Sequence, residues 1–360
     1  MNVGRIYRSL VEFRETVAIG NHIKNIRDVL NEDSFYPEMK RKSRARRRLE
    51  NIVWYVKNRE SCKFYNSYGF DIEGFRNKKD YIPYRKFRKE RNNENYSGSP
   101  VDATGYVGVS ILRNKILFSL FIASCLGKQY AVANEGLLEK DGLVLDYNTN
   151  EKIPFVDFWR GAGCDLFIKK IDGECGAGCC LIKKDEENKE KFADSLKGSS
   201  YIIQKVIVQH DELNKINPSC VNTVRIVTVR GKSGEPHVFA HMLRLGVNSD
   251  HDNRATGGIG VGITEDGVLM KNGMGHHFLV TSHPVTGFVF EGYKLPYWNE
   301  VKELVIKAHR LIPDVVSIGW DVAITPTGPV LIEGNDNWEI TGPQDTAGGL
   351  KKKWREIHEM

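Results

Sequence analysis

The stretch that most constrains this chain lies near its C-terminus: Gly319-Trp-Asp321-Val-Ala-Ile-Thr-Pro326-Thr-Gly328-Pro-Val-Leu-Ile-Glu333-Gly-Asn335. Two apolar runs, 322–324 and 330–332, flank Pro326-Thr-Gly328, which reads as a hairpin turn. Asp321 and Glu333 lie equally far from Thr327, so a hairpin centred there sets them opposite each other. Directly opposed residues on paired strands have Cβ atoms roughly 4.5–5.5 Å apart. Two carboxylates that close repel unless one is protonated or a cation sits between them. Asn335, two residues beyond Glu333, falls on the same face. Oxygen donors from Asp321, Glu333 and Asn335 suit Mg²⁺ held jointly with substrate phosphates. The alternative is an acidic hairpin with solvated carboxylates.

A chain of 360 residues forms two or three packed units, because single cores stop growing near about 250–300 residues. The longest apolar run, 116–126, is broken by Ser119 and Ser124 and falls far short of the ~20 residues that span a bilayer. The first twenty residues carry Arg5, Arg8, Glu12, Arg14 and Glu15 and no apolar core, unlike a secretory signal. Seven irregularly spaced cysteines read as reduced thiols in the cytoplasm. Cys175-x-x-x-Cys179-Cys180 has no histidine or second cysteine pair at zinc-finger spacing. The net charge of +6 is uneven: residues 1–100 hold 23 Lys and Arg against 13 Asp and Glu, so the remainder is slightly acidic. The densest run, residues 40–48, suits an anionic membrane surface or another polyanion, or else a solvated helix face. Nothing indicates sequence-specific nucleic-acid recognition.

Residues 1–60 read as helical. Ile19, Ile23, Ile26 and Leu30 recur at three- and four-residue steps, and Leu49, Ile52, Val53 and Val56 do so again. Residues 61–100 are aromatic, basic and turn-rich, and 92–100 is the best linker candidate. From residue 114 the pattern becomes α+β. A helix over 114–127 ends at Gly127, and 165–169 forms a short strand. That strand enters a glycine-rich loop with Gly173, Gly176 and Gly178, and 179–182 returns. Such a loop lets backbone N–H groups approach phosphates, and Lys169 at its base supplies a cation. Residues 201–209 read as an apolar strand. Residues 222–230 alternate polar and apolar, placing Thr223, Arg225 and Val227 on one face of a half-buried strand, where an inward arginine needs an anion. Arg244 on the neighbouring strand, 237–246, is a second candidate. His276, His277 and His283 are either acid/base groups or metal ligands, or loop histidines packed on backbone. Residues 301–311 read as an amphipathic helix, and the basic tail after Gly342 as a segment that caps or frays.

Asp321, a hairpin, then Glu333-x-Asn335 resembles the metal-binding end of the ATP-grasp superfamily. The wording over 317–325 and 328–335 is most similar to its sugar-transfer-associated members. The resemblance covers roughly 105–345. It implies an α+β ATP-grasp fold, two lobes clamping a nucleotide, divided as 101–203 and 204–345, with a helical basic region over 1–100 and a tail over 346–360. By the same resemblance MgATP is the cofactor. Lys115, Lys169, Gly173, Gly176 and Gly178 hold phosphates; Gln204, Lys205, Val206 and Ile207 meet the adenine; Asp211 takes the ribose; Asp321, Glu333 and Asn335 take Mg²⁺. The family often has Glu where Gln204 stands, which weakens that contact. Arg225 and Arg244 face the transferred phosphate or the acceptor carboxylate, and the loop with Asn253 closes over the acceptor. The implied chemistry is carboxylate–amine (or thiol) ligation through an acyl phosphate, in cell-surface polysaccharide assembly. The alternatives are a kinase acting on a sugar or small-molecule hydroxyl, and a non-catalytic polyanion-binding module.

Overall fold

A computed structural model of the chain describes residues 19–96, 107–171, 178–186, 188–248, 252–254 and 257–360. Gly173 and Gly176 lie outside the described residues.

The N-terminal part contains α1 (Ile19–Asn31), α2 (Arg44–Asn58) and α3 (Tyr84–Tyr96). Ser43 caps α2, its side chain accepting from the Arg46 N–H. The apolar row Leu49, Ile52, Val53 and Val56 faces outward, each at least 42% exposed, while Arg47, Asn51 and Trp54 are buried. Much of the basic run is neutralised within this part. Lys40 pairs with Glu73 at 2.9 Å, Arg41 with Asp71 at 2.9 Å, and Lys42 with Glu50 at 3.1 Å. The expected linker is different in kind. Over 92–96 it is the end of α3, and Asn95, fully buried, donates to the Ser317 and Asp336 carbonyls at 2.9 and 2.8 Å. Residues 97–100 of it lie outside the described residues.

Two helices, α4 (Val107–Arg113) and α5 (Lys115–Cys125), meet at 108°. Asn114 between them is extended, and its side chain accepts from the Ile116 and Leu117 N–H groups, so a new helix starts at Lys115. Among the described residues no single helix is long and apolar enough to cross a membrane.

The first sheet contains β1 (Asn134–Leu138), β2 (Leu143–Asp146), β3 (Lys152–Pro154), β4 (Leu166–Lys170), β5 (Cys179–Ile182) and β6 (Tyr201–Lys205), in the order β3-β2-β1-β6-β4-β5. Helices α6 (Phe155–Ala162) and α7 (Lys189–Leu196) close its core around Trp159, Leu166, Ile168 and Ile203. β6 stops at Lys205 instead of running to Gln209. The Lys205 N–H still bonds the Ala133 carbonyl, but by His210 the chain donates to Ile324 of the other sheet at 2.9 Å. Residues 206–210 therefore bridge the sheets.

After α8 (Asp211–Ile216) comes the second sheet. It holds β7 (Thr223–Arg230), β8 (Pro236–Leu245), β9 (Ile259–Ile263), β10 (Leu269–Met274), β11 (Leu279–Val280), β12 (Ser317–Thr325) and β13 (Gly328–Asn335), antiparallel and ordered β11-β10-β9-β8-β7-β12-β13. α9 (Trp298–Arg310) packs Val301, Leu304 and Val305 with Val224, Ile226 and Trp320 on one face. On the other, Val227, Val229 and Phe239 meet Trp338, Trp354 and Phe87 of α3. β7 is thus a central strand buried on both faces, not a half-buried one. The C-terminal stretch does not fray: it forms α10 (Thr341–Ala347) and α11 (Lys351–Glu359), with Gln344 fully buried and Trp354 in the core.

Candidate active site

The hairpin pairs Asp321 with Glu333, as the sequence predicts, but by another route. Thr325 pairs with Gly328, so the turn is the two residues Pro326-Thr327, with Gly328 at φ +126°. That register alone would set Asp321 against Ile332. A bulge between Asp321 and Val322 shifts the pairing by one and brings Glu333 across. Gly334 lets α4 approach the back of the hairpin, since a Cβ there would stand 2.5 Å from Leu112 Cδ2.

Register places the arginines beside this pair. Asp321 on β12 lies opposite Arg225 on β7, and Arg244 on β8 is opposite Thr223. Arg225 donates through Nε and Nη2 to both Asp321 oxygens, the second at 3.0 Å, and Arg244 Nη1 donates to Asp321 Oδ2 at 2.9 Å. Arg244 Nη2 also holds Asp252 Oδ1 at 3.0 Å, and Asp252 accepts from the Thr223 N–H at 3.0 Å and from its hydroxyl. Burial opposes ionisation of Asp321, yet the two guanidiniums outweigh it and hold the carboxyl well below the usual range. Glu333 goes the other way: burial, then the neighbouring Asp321 carboxylate, push it up. One hairpin therefore carries two opposed carboxyls of opposite protonation tendency.

Asp321 Oδ2 accepts two hydrogen bonds from the arginines and Oδ1 one, and the carboxylate also shares a hydrogen bond with Glu333, whose proton a cation between the two would replace. Asn335 spends its amide N–H on the Gly319 carbonyl and on Glu333 Oε1, both at 3.3 Å, which leaves its carbonyl oxygen as donor to a cation. Two carboxylates and an amide fit a hard divalent cation shared with phosphate oxygens. Among the described residues no three His, Cys, Asp or Glu side chains come together as a metal site of their own.

From the first sheet, Lys169 on β4 faces this hairpin electrostatically. Burial lowers its ammonium pKa, and the charges of Glu333 and Asp321 act to raise it. Lys115 reaches the Lys170 carbonyl at 3.4 Å, and the Gly178 carbonyl accepts from the Lys170 N–H at 3.0 Å. Gln204 is buried and donates to Asn134 at 2.8 Å; Lys205, Val206 and Ile207 lead onto the bridge, and the exposed Asp211 opens α8 behind its cap His210. His283 is a structural histidine, fully buried with Nε2 2.8 Å from the Gly246 carbonyl.

A cavity of about 410 Å³ lies against the same arginines, lined by Arg225, Arg244, Asn253, Arg254, His276 and His277, and closed by N-terminal residues including Phe35, Lys63 and Phe64. Lys115, Lys169, residues 204–207 and Asp211 do not line it. Asp252, the Arg254–Asp345 pair (3.0 Å) and the N-terminal wall escape sequence reasoning. Asp252 stands just ahead of the singled-out Asn253, but no spacing marks it.

Two antiparallel sheets, linked through Ala131, which pairs with Leu331 just ahead of β1, and again through residues 206–210, make an α+β fold with the carboxylate hairpin at the edge of the second sheet. The pattern of the sugar-transfer associated ATP-grasp family matches residues 111–359, and the chain belongs to that family and has its fold. Solved structures similar to it include N5-carboxyaminoimidazole ribonucleotide synthetase from Thermotoga maritima, at 12% identity over 64% of this chain and 43% of that one, TM-score 0.35. Another is the D-alanine-D-alanine ligase from Coxiella burnetii, at 12% identity over 70% and 58%, TM-score 0.39. A third is biotin carboxylase from Campylobacter jejuni, at 11% identity over 65% and 42%, TM-score 0.40. The chain spans about half the length of these proteins. Comparison with curated proteins finds no match.

Proposed function

We propose that the chain is a MgATP-dependent ligase that joins a carboxylate to an amine or thiol through an acyl phosphate, in the cytoplasmic assembly of cell-surface polysaccharide or glycoconjugate. The observation that carries this reading is the Asp321–Glu333 pair, with Arg225 of β7 and Arg244 of β8 bonded to Asp321 and Lys169 of β4 within the field of both carboxyls. Lys115, Lys169 and Gly178, with Gly173 and Gly176, hold the phosphates. Gln204, Lys205, Val206 and Ile207 meet the adenine, and Asp211 the ribose. Asp321, Glu333 and Asn335 hold Mg²⁺, which supplies positive charge against the transferring phosphoryl group.

Arg225 and Arg244, already fixed by Asp321 and Asp252, orient the acceptor carboxylate without reorganising. A carboxylate oxygen attacks the γ-phosphorus, the bond to the β,γ-bridging oxygen breaks, and ADP leaves. The amine or thiol then attacks the acyl carbon, phosphate departs, and the nucleophile's proton passes to solvent. The arginines steady the phosphorus centre in the first step. Asn253, on the cavity wall, holds the acceptor in place.

Thermal unfolding with and without MgATP, on wild type and Glu333→Gln, tests this. A ligand bound only to the native state at about a hundredfold excess over Kd adds about 2.7 kcal/mol. A Mg²⁺-dependent rise in Tm that Glu333→Gln loses is expected; no rise in wild type at millimolar MgATP sinks the reading. Hydroxylamine then separates ligase from kinase, by trapping the acyl group as a hydroxamate where a kinase leaves a stable phosphoester.

A further inference from the structure

The N-terminal region extends beyond the matched family pattern, yet it supplies one wall of the cavity over the arginines. We infer that this cavity is the acceptor site and that it takes an acidic sugar, its carboxylate on Arg225 and Arg244 and its ring on the N-terminal wall formed by Phe35, Lys63 and Phe64. The inference rests on the ligase reading for what happens to that carboxylate, but the pocket itself stands on the geometry.

Three observations select this class of ligand. The size, about 410 Å³, suits one monosaccharide-sized molecule. The cationic side is built and preoriented: Arg225 spends Nε and Nη2 on Asp321, Arg244 is braced between Asp321 and Asp252, and Arg254 is held by Asp345. Lys63, exposed, adds a flexible cation from the opposite wall. The remaining lining is that of a carbohydrate subsite. Phe35 and Phe64 are half-buried aromatic faces, suited to the C–H face of a pyranose, and the Glu32 and Glu339 carboxylates accept from hydroxyls.

The wall is rigid. Phe64 packs on Tyr68 and Tyr84, with ring centroids 5.6 and 5.7 Å away. The buried Gln344 accepts from the Ile82 N–H at 2.8 Å and bonds the Tyr68 hydroxyl at 3.2 Å, while Arg76 donates to the Asp345 carbonyl at 3.1 Å. α10, which supplies Thr341, Gly342 and Asp345 to the cavity, is thereby tied to the same residues that present Phe64. A planar carboxylate matches guanidinium N–H geometry, and an uncharged sugar leaves those donors unpaired.

The test uses the full chain, with D-glucuronate as probe and D-glucose and acetate as controls, read by Tm and by titration calorimetry. Glucuronate is expected to raise Tm where glucose and acetate do not. Lys63→Ala and Phe64→Ala are each expected to weaken glucuronate binding about tenfold while keeping the wild-type MgATP shift, which also shows that they fold. Glucuronate binding that is unchanged in both variants overturns the inference. So does a wild type that responds to MgATP but not to glucuronate, and the ligase reading then stands without it. Glucuronate binding that needs Phe64, in a protein with no response to MgATP, supports the pocket and removes the ligase.

Discussion

Asp321 is where the site's charges meet: one carboxylate holds two largely buried arginines in place. Removing one partner of such a cluster leaves the others uncompensated, and the cost is large. Asp321→Ala is expected to destabilise the protein by roughly 3–5 kcal/mol, measured by urea unfolding at neutral pH. Because the folded-state carboxyl is held below its unfolded value, its contribution is present above the unfolded pKa of about 3.9 and declines as pH falls further. His309 also favours higher pH, through a different cause. It is fully buried, with Nδ1 2.6 Å from Thr228 Oγ1 and Nε2 2.9 Å from the Val315 carbonyl, and burial pushes its pKa down to about 3. The unfolded chain takes up a proton near pH 6.5 and the native chain does not. Stability therefore falls from about pH 6.5 towards about pH 3, by up to about 1.4 kcal/mol per pH unit. A pH series of unfolding midpoints in wild type and His309→Gln checks this, and the variant is expected to lose that slope.

At the scale of elements, α2 shows where periodicity stops being informative. The row Leu49, Ile52, Val53 and Val56 marks a helix correctly, but a period says nothing about which face finds a partner. Here the partner lies on the other side, where Trp54 packs with Phe70, their ring centroids 5.9 Å apart, in a cluster with Tyr65. Leu49→Ser and Ile52→Ser are expected to change stability by no more than about 0.5 kcal/mol, whereas Trp54→Ala is expected to cost about 3–5 kcal/mol. Equal losses at all three positions in thermal melts would contradict the assignment of faces. β12 and β13 teach the complementary lesson. The alternation and the turn residues were legible, and so was the Asp321–Glu333 pairing. The bulge that produces it was not, because no residue type announces one.

At the scale of the whole molecule, residues 19–96 are structurally inseparable from the rest. Asn95 satisfies backbone groups on β12 and beyond β13, accepting from the Ser317 N–H at 2.9 Å as well as donating. Phe87 fills the core between Trp338 and Trp354, at 4.7 and 5.7 Å. A chain starting at residue 97 is therefore expected to lose cooperative unfolding by calorimetry, because it exposes that aromatic cluster and strands buried polar groups. A sharp transition near the wild-type Tm would show that the second sheet closes its own core. The expectation of a helical N-terminal region was sound, but its docking was invisible: the contacts join residues more than 200 positions apart, and each partner looks ordinary alone.

By itself the sequence determined the local physics: apolar alternation for the hairpin strands, Asn114 as a helix start, a carboxylate pair opposed across a hairpin, and arginines that needed an anion. Those follow from neighbours within a few residues, where sterics and periodicity act. Only the tertiary structure decided that Arg225 and Arg244 share Asp321, that β7 is buried on both faces, that the C-terminal stretch forms α10 and α11, and that Phe64 lines the same cavity as the arginines. Such facts depend on which surfaces exclude water from one another, and that is settled by the packing of distant segments, not by any one of them.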